Sequence, residues 1–196
     1  MIGNRAVGDE NKAFIIAELS ANHNQNYDLA VETIKAMKEA GADAVKLQTY
    51  TPDTITIDSS NKDFQINQGM IWDGTTLYEL YKKAYTPWEW HPKLKRVAED
   101  LGLIFFSSPF DKTSVDFLEE MDVPAYKIAS PEITDIGLIE YVARLNKPVI
   151  LSTGIATLPD IEEAISTCHN VGNSQLALLK CTSEYPTPFS DVNLLT

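Results

Sequence analysis

Apolar residues along the chain follow two alternating rhythms. Short runs read "FIIAELS" (14–20), "AVKLQTY" (44–50), "LIFFSSP" (103–109), "AYKIAS" (125–130), "PVILSTG" (148–154) and "LALLKCTS" (176–183). Each has the length of a strand and is apolar at successive positions, the pattern of strands covered on both faces. Between them the apolar residues recur at helical spacing. Residues 27–40 set Leu29, Ile34, Met37 and Ala40 on one side before Gly41, and Pro87 opens a helix that ends at Gly102. Further stops fall at 146–148 and at Gly172. Repetition of β and α units predicts a parallel sheet with helical crossovers.

The pattern breaks in informative places. Residues 50–75, "YTPDTITIDSSNKDFQINQGMIWDGT", lack periodicity and predict a long loop after the second strand. Trp72 there is either a platform for a sugar face or, with Ile66, Met70 and Ile71, packing for the loop itself. The aromatic run "TLYELYKKAYTPWEWHP" has helical spacing and predicts core packing.

All the strand-like runs end in residues capable of polar chemistry: Glu18 and Ser20, Lys46 and Gln48, Ser107 and Ser108, Lys127 and Ser130, Ser152 and Thr153, Thr182 and Ser183. A (β/α)8 TIM barrel collects its site at those ends, whereas a doubly wound sheet concentrates it at one switch point, and no glycine-rich phosphate loop occurs here. The expectation is therefore an α/β barrel, incomplete in this chain with about six of its eight strands. Lys127 raises a sharper question. Val123, Ala125, Ile128 and Ala129 give its surroundings the character of a buried strand, and a buried lysine calls for an anionic partner.

Composition narrows the classes. At 196 residues, 44% hydrophobic and 22% charged, the chain is an ordinary single globular unit. A net charge of −12 argues against a nucleic-acid or anionic-membrane partner, either of which needs a basic face, so any anionic ligand needs locally placed lysines. Cys168 and Cys181 show neither disulfide-framework nor zinc spacing, and no leader or membrane-spanning run is evident, which predicts a reducing, cytoplasmic setting.

The motifs "IAELSANHN", "AVKLQTYTPD", "FFSSPFD", "AYKIASPEITD", "PVILSTG" and "LLKCTSEYPTP" occur in order, each at its own strand end. Together they resemble the nonulosonic (sialic) acid synthase family, over essentially the whole chain. "ELSANHN", "FSSPFD", "ASPEITD" and "CTSEYP", with Ser183 where sialic acid synthases have asparagine, favour the branch that makes pseudaminic acid.

That resemblance implies condensation of phosphoenolpyruvate with an acetamido sugar, a 2,4-diacetamido trideoxy hexose in this branch, to give a nine-carbon 2-keto acid and phosphate. Lys46 and Lys127 match the residues that hold the carboxylate and phosphate of phosphoenolpyruvate, helped by Ser108, Ser130, Ser152 and Ser183. Glu132 matches an acid/base glutamate and Glu18 a second carboxylate. Gln48 and Tyr185 match sugar-facing positions, and His23 a site-lining histidine. A divalent ion, Mn2+ or Mg2+, is implied on two histidines from strands after the sixth. Those ligands are expected beyond Thr196, so no metal ligand is expected within 1–196. His91 and His169, on predicted helices, are expected at the surface. The resemblance also implies the remaining barrel strands, a C-terminal antifreeze-like (SAF) domain and a homodimer. Residues 1–196 alone are expected to be inactive.

Other readings of the same residues stay open. Either lysine alone is compatible with snorkelling or a structural ion pair, Glu18 and Glu132 with loop caps, and the serines with turn starts. A Schiff-base aldolase also places a lysine at a barrel strand end, and a non-catalytic fragment keeps the fold without the chemistry.

Overall fold

A computed structural model of the chain describes residues 1–67, 72–183 and 187–193. Six strands, β1 (Ile16–Glu18), β2 (Ala44–Thr49), β3 (Ile104–Pro109), β4 (Tyr126–Ile128), β5 (Val149–Ser152) and β6 (Leu176–Leu179), pair in sequence order, every neighbour parallel. The sheet curls into a half-barrel with helices on its outer face.

Seven α-helices, α1 (Tyr27–Glu39), α2 (Pro52–Ile55), α3 (Leu77–Ala84), α4 (His91–Asp100), α5 (Lys112–Glu120), α6 (Ile136–Ala143) and α7 (Leu158–Asn170), occur among the described residues. Local chemistry sets their ends. Asn26 caps α1 by accepting from the Leu29 amide, Asp111 caps α5 by accepting from Thr113 and Ser114, and Thr157 with Asp160 closes a capping box on α7. After α1 the chain reverses through Gly41 at φ +93°, a left-handed conformation that glycine takes without strain.

The core lies between sheet and helices. Leu47, Phe105, Tyr126 and Leu151 on the sheet and Ile34, Leu94, Leu118 and Ile139 on the helices are all buried. The register sorts the opposite face. Glu18 aligns with Lys46, Lys46 with Phe106, Gln48 with Ser108, and Lys127 with Ile150. Because side chains alternate along a strand, Lys46, Gln48, Ser108, Lys127 and Ser152 share the concave side. Strand β6 is the barer edge, with Leu178 and Leu179 exposed.

The strands are shorter than the apolar runs, since the flanking residues turn into the loops. The helix opened by Pro87 is in fact a 3-10 turn, Trp88–Trp90, continued by α4. The stretch 50–75 contains α2, a 3-10 turn at Lys62–Phe64 and a bridge between Gln65 and Thr76. No helix of the described residues is long and apolar enough to cross a membrane.

Candidate anion site at the strand ends

Lys127 is 5% exposed, and its ammonium donates to the Ser152 hydroxyl at 2.5 Å and to the Ile128 carbonyl at 2.9 Å. Among the described residues no carboxylate lies within ion-pair distance of it. Among the described residues the anionic partner expected from the sequence is therefore not found, and one of the three ammonium hydrogens is left over among them. Burial lowers the Lys127 ammonium to about 8, and the Lys46 charge pushes in the same direction.

Lys46, 4% exposed, sits between β1 and β3, 3.4 Å from Glu18 Oε1 and 3.4 Å from Ser108 Oγ. Burial lowers its ammonium and Glu18 opposes that shift. Both contacts are long for charge-assisted bonds, which leaves room for a better acceptor. Two buried cations that their partners among the described residues neutralise incompletely make these strand ends the candidate site for an anion.

Gly154 joins the hydroxyls. Its amide donates to Ser130 Oγ at 3.1 Å, and a Cβ placed on it would collide with Ser183 Oγ and lie 3.0 Å from Ser130 Oγ and 3.1 Å from Cys181 Cβ. The ends of β4, β5 and β6 thus meet around one residue whose missing Cβ leaves them room. Ser130 starts the 3-10 turn Pro131–Thr134, which carries Glu132. Burial raises the Glu132 carboxyl, with Lys127 opposing, and its Oε2 is buried with no hydrogen-bond partner among the described residues. Such an atom is available to a proton or a substrate. Gln48, half-buried, is the register partner of Ser108 on the same side, and Tyr185 lies outside the described residues.

Two histidines depart from expectation. His23 does not line an open site: it is 0% exposed, its Nδ1 accepts from the Gln25 amide at 3.1 Å, and its Nε2 donates to Thr86 Oγ1 at 3.0 Å. With Trp90 edge-on, it clamps the loop after β1 to the segment before α4. His91 is not at the surface either. It is 0% exposed, with Nδ1 against the Pro87 carbonyl at 3.3 Å and Nε2 against Thr49 Oγ1 at 2.9 Å; Thr49 in turn meets Ser107 Oγ at 2.7 Å. A carbonyl only accepts, so Nδ1 carries the hydrogen and Nε2 accepts from Thr49. Ser107 therefore belongs to a network on the outer face of the sheet, away from Ser108. His169 is exposed, as expected.

The loop after β2 contributes residues that the sequence reading passed over. Tyr81 of α3 stacks edge-on against Tyr50, and burial and the Glu132 charge raise its phenol. Its helix has no fully buried residue, so this aromatic run is less a core element than the pattern suggested. Trp72 is 47% exposed and lines a shallow cavity with Ala21, Asn24, Leu80 and Lys83, while Ile66 is buried; Met70 and Ile71 lie outside the described residues.

The described residues do not gather three His, Cys, Asp or Glu side chains that could hold a metal ion, and the two buried histidines have both ring nitrogens engaged. They do not fit the divalent ion implied by the resemblance. Thr196, beyond which its ligands are expected, itself lies outside the described residues, so the placement of that ion stays an expectation.

Comparison with known proteins agrees with the layout. The NeuB family model matches residues 33–196. Pseudaminic acid synthase of Helicobacter pylori is 54% identical over 182 residues, 93% of this chain and 53% of that protein. Pseudaminic acid synthase of Campylobacter jejuni is 49% identical over 185 residues, 94% of this chain and 54% of that protein. Among solved structures, N-acetylneuraminic acid synthetase from Leptospira borgpetersenii in complex with citrate superposes with a TM-score of 0.84 at 32% identity, covering 98% of this chain and 62% of that one. The chain spans about half the length of the curated relatives it matches. On the family match and the shared barrel architecture, the chain belongs to the NeuB family.

Proposed function

We propose that this chain supplies the phosphoenolpyruvate-binding side of a nonulosonic acid synthase of the pseudaminic acid type. The observation that carries the proposal is Lys127: a buried ammonium bonded to Ser152 and Ile128, near a second buried lysine, with no carboxylate of its own among the described residues. A ligand with two anionic ends satisfies that arrangement, and phosphoenolpyruvate has a carboxylate and a phosphate. The similarity to pseudaminic acid synthases favours the diacetamido trideoxy sugar, 2,4-diacetamido-2,4,6-trideoxy-altrose, as the second substrate.

In this reading Lys46 and Lys127 neutralise the two ends of phosphoenolpyruvate, while Ser108, Ser130, Ser152 and Ser183 donate to its oxygens. Carbon 3 of the enol bonds to the sugar's aldehyde carbon, and the aldehyde oxygen takes up a proton. The cation that develops at carbon 2 is stabilised by Glu18 and Glu132 and captured by water. Glu132 is the better-placed base for that water, because one of its oxygens has no partner among the described residues and its raised carboxyl lies nearer the operating range. The new hydroxyl then expels phosphate with carbon–oxygen cleavage, leaving the 2-keto acid. Gln48 and Tyr185 are assigned to the sugar, and no step is routed through a metal. The remaining family features, a divalent ion held elsewhere in the protein, further barrel strands and a second domain, a homodimer and a cytoplasmic location, stay part of this proposal.

The test is incubation of the full-length protein that carries this chain with phosphoenolpyruvate, a divalent cation and either the diacetamido altrose or N-acetylmannosamine, following phosphate release and product mass. Faster turnover of the diacetamido sugar supports the reading. Preference for N-acetylmannosamine overturns the sugar assignment, and a lysine adduct trapped by borohydride with a keto acid would replace the synthase chemistry with an aldolase's.

A further inference from the structure

Cys181 lies beside Ser152 at the candidate anion site and has no part in the proposed chemistry. It is half-buried, and its Sγ lies 3.2 Å from Ser152 Oγ; its other neighbour, the Leu179 carbonyl, is farther at 3.5 Å. Ser152 is also the acceptor for Lys127 at 2.5 Å. A serine hydroxyl offers one hydrogen and two acceptor positions. With the ammonium on one position and the thiol on the other, both are filled. The hydroxyl hydrogen then has no acceptor among the described residues and is free for a bound ligand. Ser130 and Ser108 differ, since each accepts from a single group, the Gly154 amide and Lys46 respectively, among the described residues.

We infer that Cys181 is a positioning residue: its thiol holds the Ser152 hydroxyl with the hydrogen turned toward the anion. This rests on the phosphoenolpyruvate reading of the site. An apolar side chain at 181 frees one acceptor position and lets the hydroxyl rotate, so that binding has to order it again. A serine at 181 keeps a donor on the same carbon. Cys168, by contrast, is sealed in the helix–sheet core and has no contact with the site.

The experiment is steady-state kinetics, in the full-length protein that carries this chain, of Cys181→Ala, Cys181→Val, Cys181→Ser and Ser152→Ala, with Cys181→Val repeated in the Ser152→Ala background. Valine keeps the side-chain volume if the alanine cavity unfolds the chain. The alanine and valine variants are expected to raise the phosphoenolpyruvate KM roughly five- to tenfold, with kcat moving less than about twofold. Serine is expected to restore KM to within about twofold, and in the Ser152→Ala background valine should add less than about twofold. Unchanged KM in the valine variant while Ser152→Ala raises it overturns the inference and leaves the anion site standing, as does a serine variant no better than valine. Unchanged KM in Ser152→Ala overturns the site reading itself, and this inference with it.

Discussion

Lys127 on β4 and Ser152 at the end of β5 are 2.5 Å apart, and the charge they share has no carboxylate within ion-pair distance among the described residues. A folded chain that keeps a buried cation in this state gives up stability for readiness to bind. Lys127→Met is accordingly predicted to melt a few degrees above the parent when no anion is present. The same change should abolish the rise in melting temperature that phosphoenolpyruvate gives the parent. Differential scanning calorimetry with and without phosphoenolpyruvate checks both; a variant that melts lower and is still stabilised by phosphoenolpyruvate contradicts them.

The pH dependence follows from the same lysine. Its folded value, about 8, lies below the ordinary lysine value, so between about 8 and 10.5 the unfolded chain binds more protons than the empty folded one. Stability from this group therefore rises with pH across that window. Anion affinity moves the other way, because the bound form needs the ammonium: the phosphoenolpyruvate dissociation constant is predicted to climb by up to about tenfold per pH unit above 8. Titration calorimetry at pH 7.0, 8.0 and 9.0 measures it, and a flat profile contradicts the role of Lys127.

Gly154→Ala tests the convergence of three strand ends. The new methyl collides with Ser183 Oγ and meets Ser130 Oγ at 3.0 Å, both of them ends of short side chains, but also Cys181 Cβ at 3.1 Å. Displacement of these groups is predicted to weaken phosphoenolpyruvate binding by more than about tenfold while lowering stability by only about 1–3 kcal/mol. Binding and denaturant titrations of the variant read the two effects separately, and parent-like affinity would count against the hub.

His91 predicts acid sensitivity on the opposite side of the sheet. Burial holds its imidazole down to about 4, against 6.5 in an unfolded chain, so its contribution is fully present above 6.5 and is lost as pH falls toward 4. Between pH 7 and 5 the loss is predicted at about 2 kcal/mol. In urea unfolding at those two pH values, His91→Gln should show a shallower dependence than the parent by about that amount; an equal slope contradicts the buried, neutral histidine.

The barrel was legible because strands covered on both faces write continuous apolar runs, and because their chemistry gathers at one end of each run. Lys46, Lys127 and the serines were found by that placement, and the structure sets Lys46, Lys127, Ser108 and Ser152 on one side of the sheet. What periodicity cannot carry is the identity of a distant partner. His23 meets Thr86 across 63 positions and His91 meets Thr49 across 42, so their burial depends on tertiary packing that leaves no local signal. That no carboxylate among the described residues pairs with Lys127 is of the same kind. Tyr81 was hidden for another reason: aromatic residues at helical spacing read as core, whereas α3 belongs to the long loop after β2. The signal that could have found it is that this loop follows the strand bearing Lys46.

The central claim is that Lys46 and Lys127 hold the two ends of phosphoenolpyruvate, and a crystal structure of the protein with that ligand tests it most directly. The prediction is a phosphate and a carboxylate divided between the two ammonium groups, with Lys127 Nζ and Ser152 Oγ both about 3 Å from ligand oxygens. Phosphoenolpyruvate bound elsewhere, or density continuous from a lysine nitrogen into a pyruvyl carbon, would contradict it.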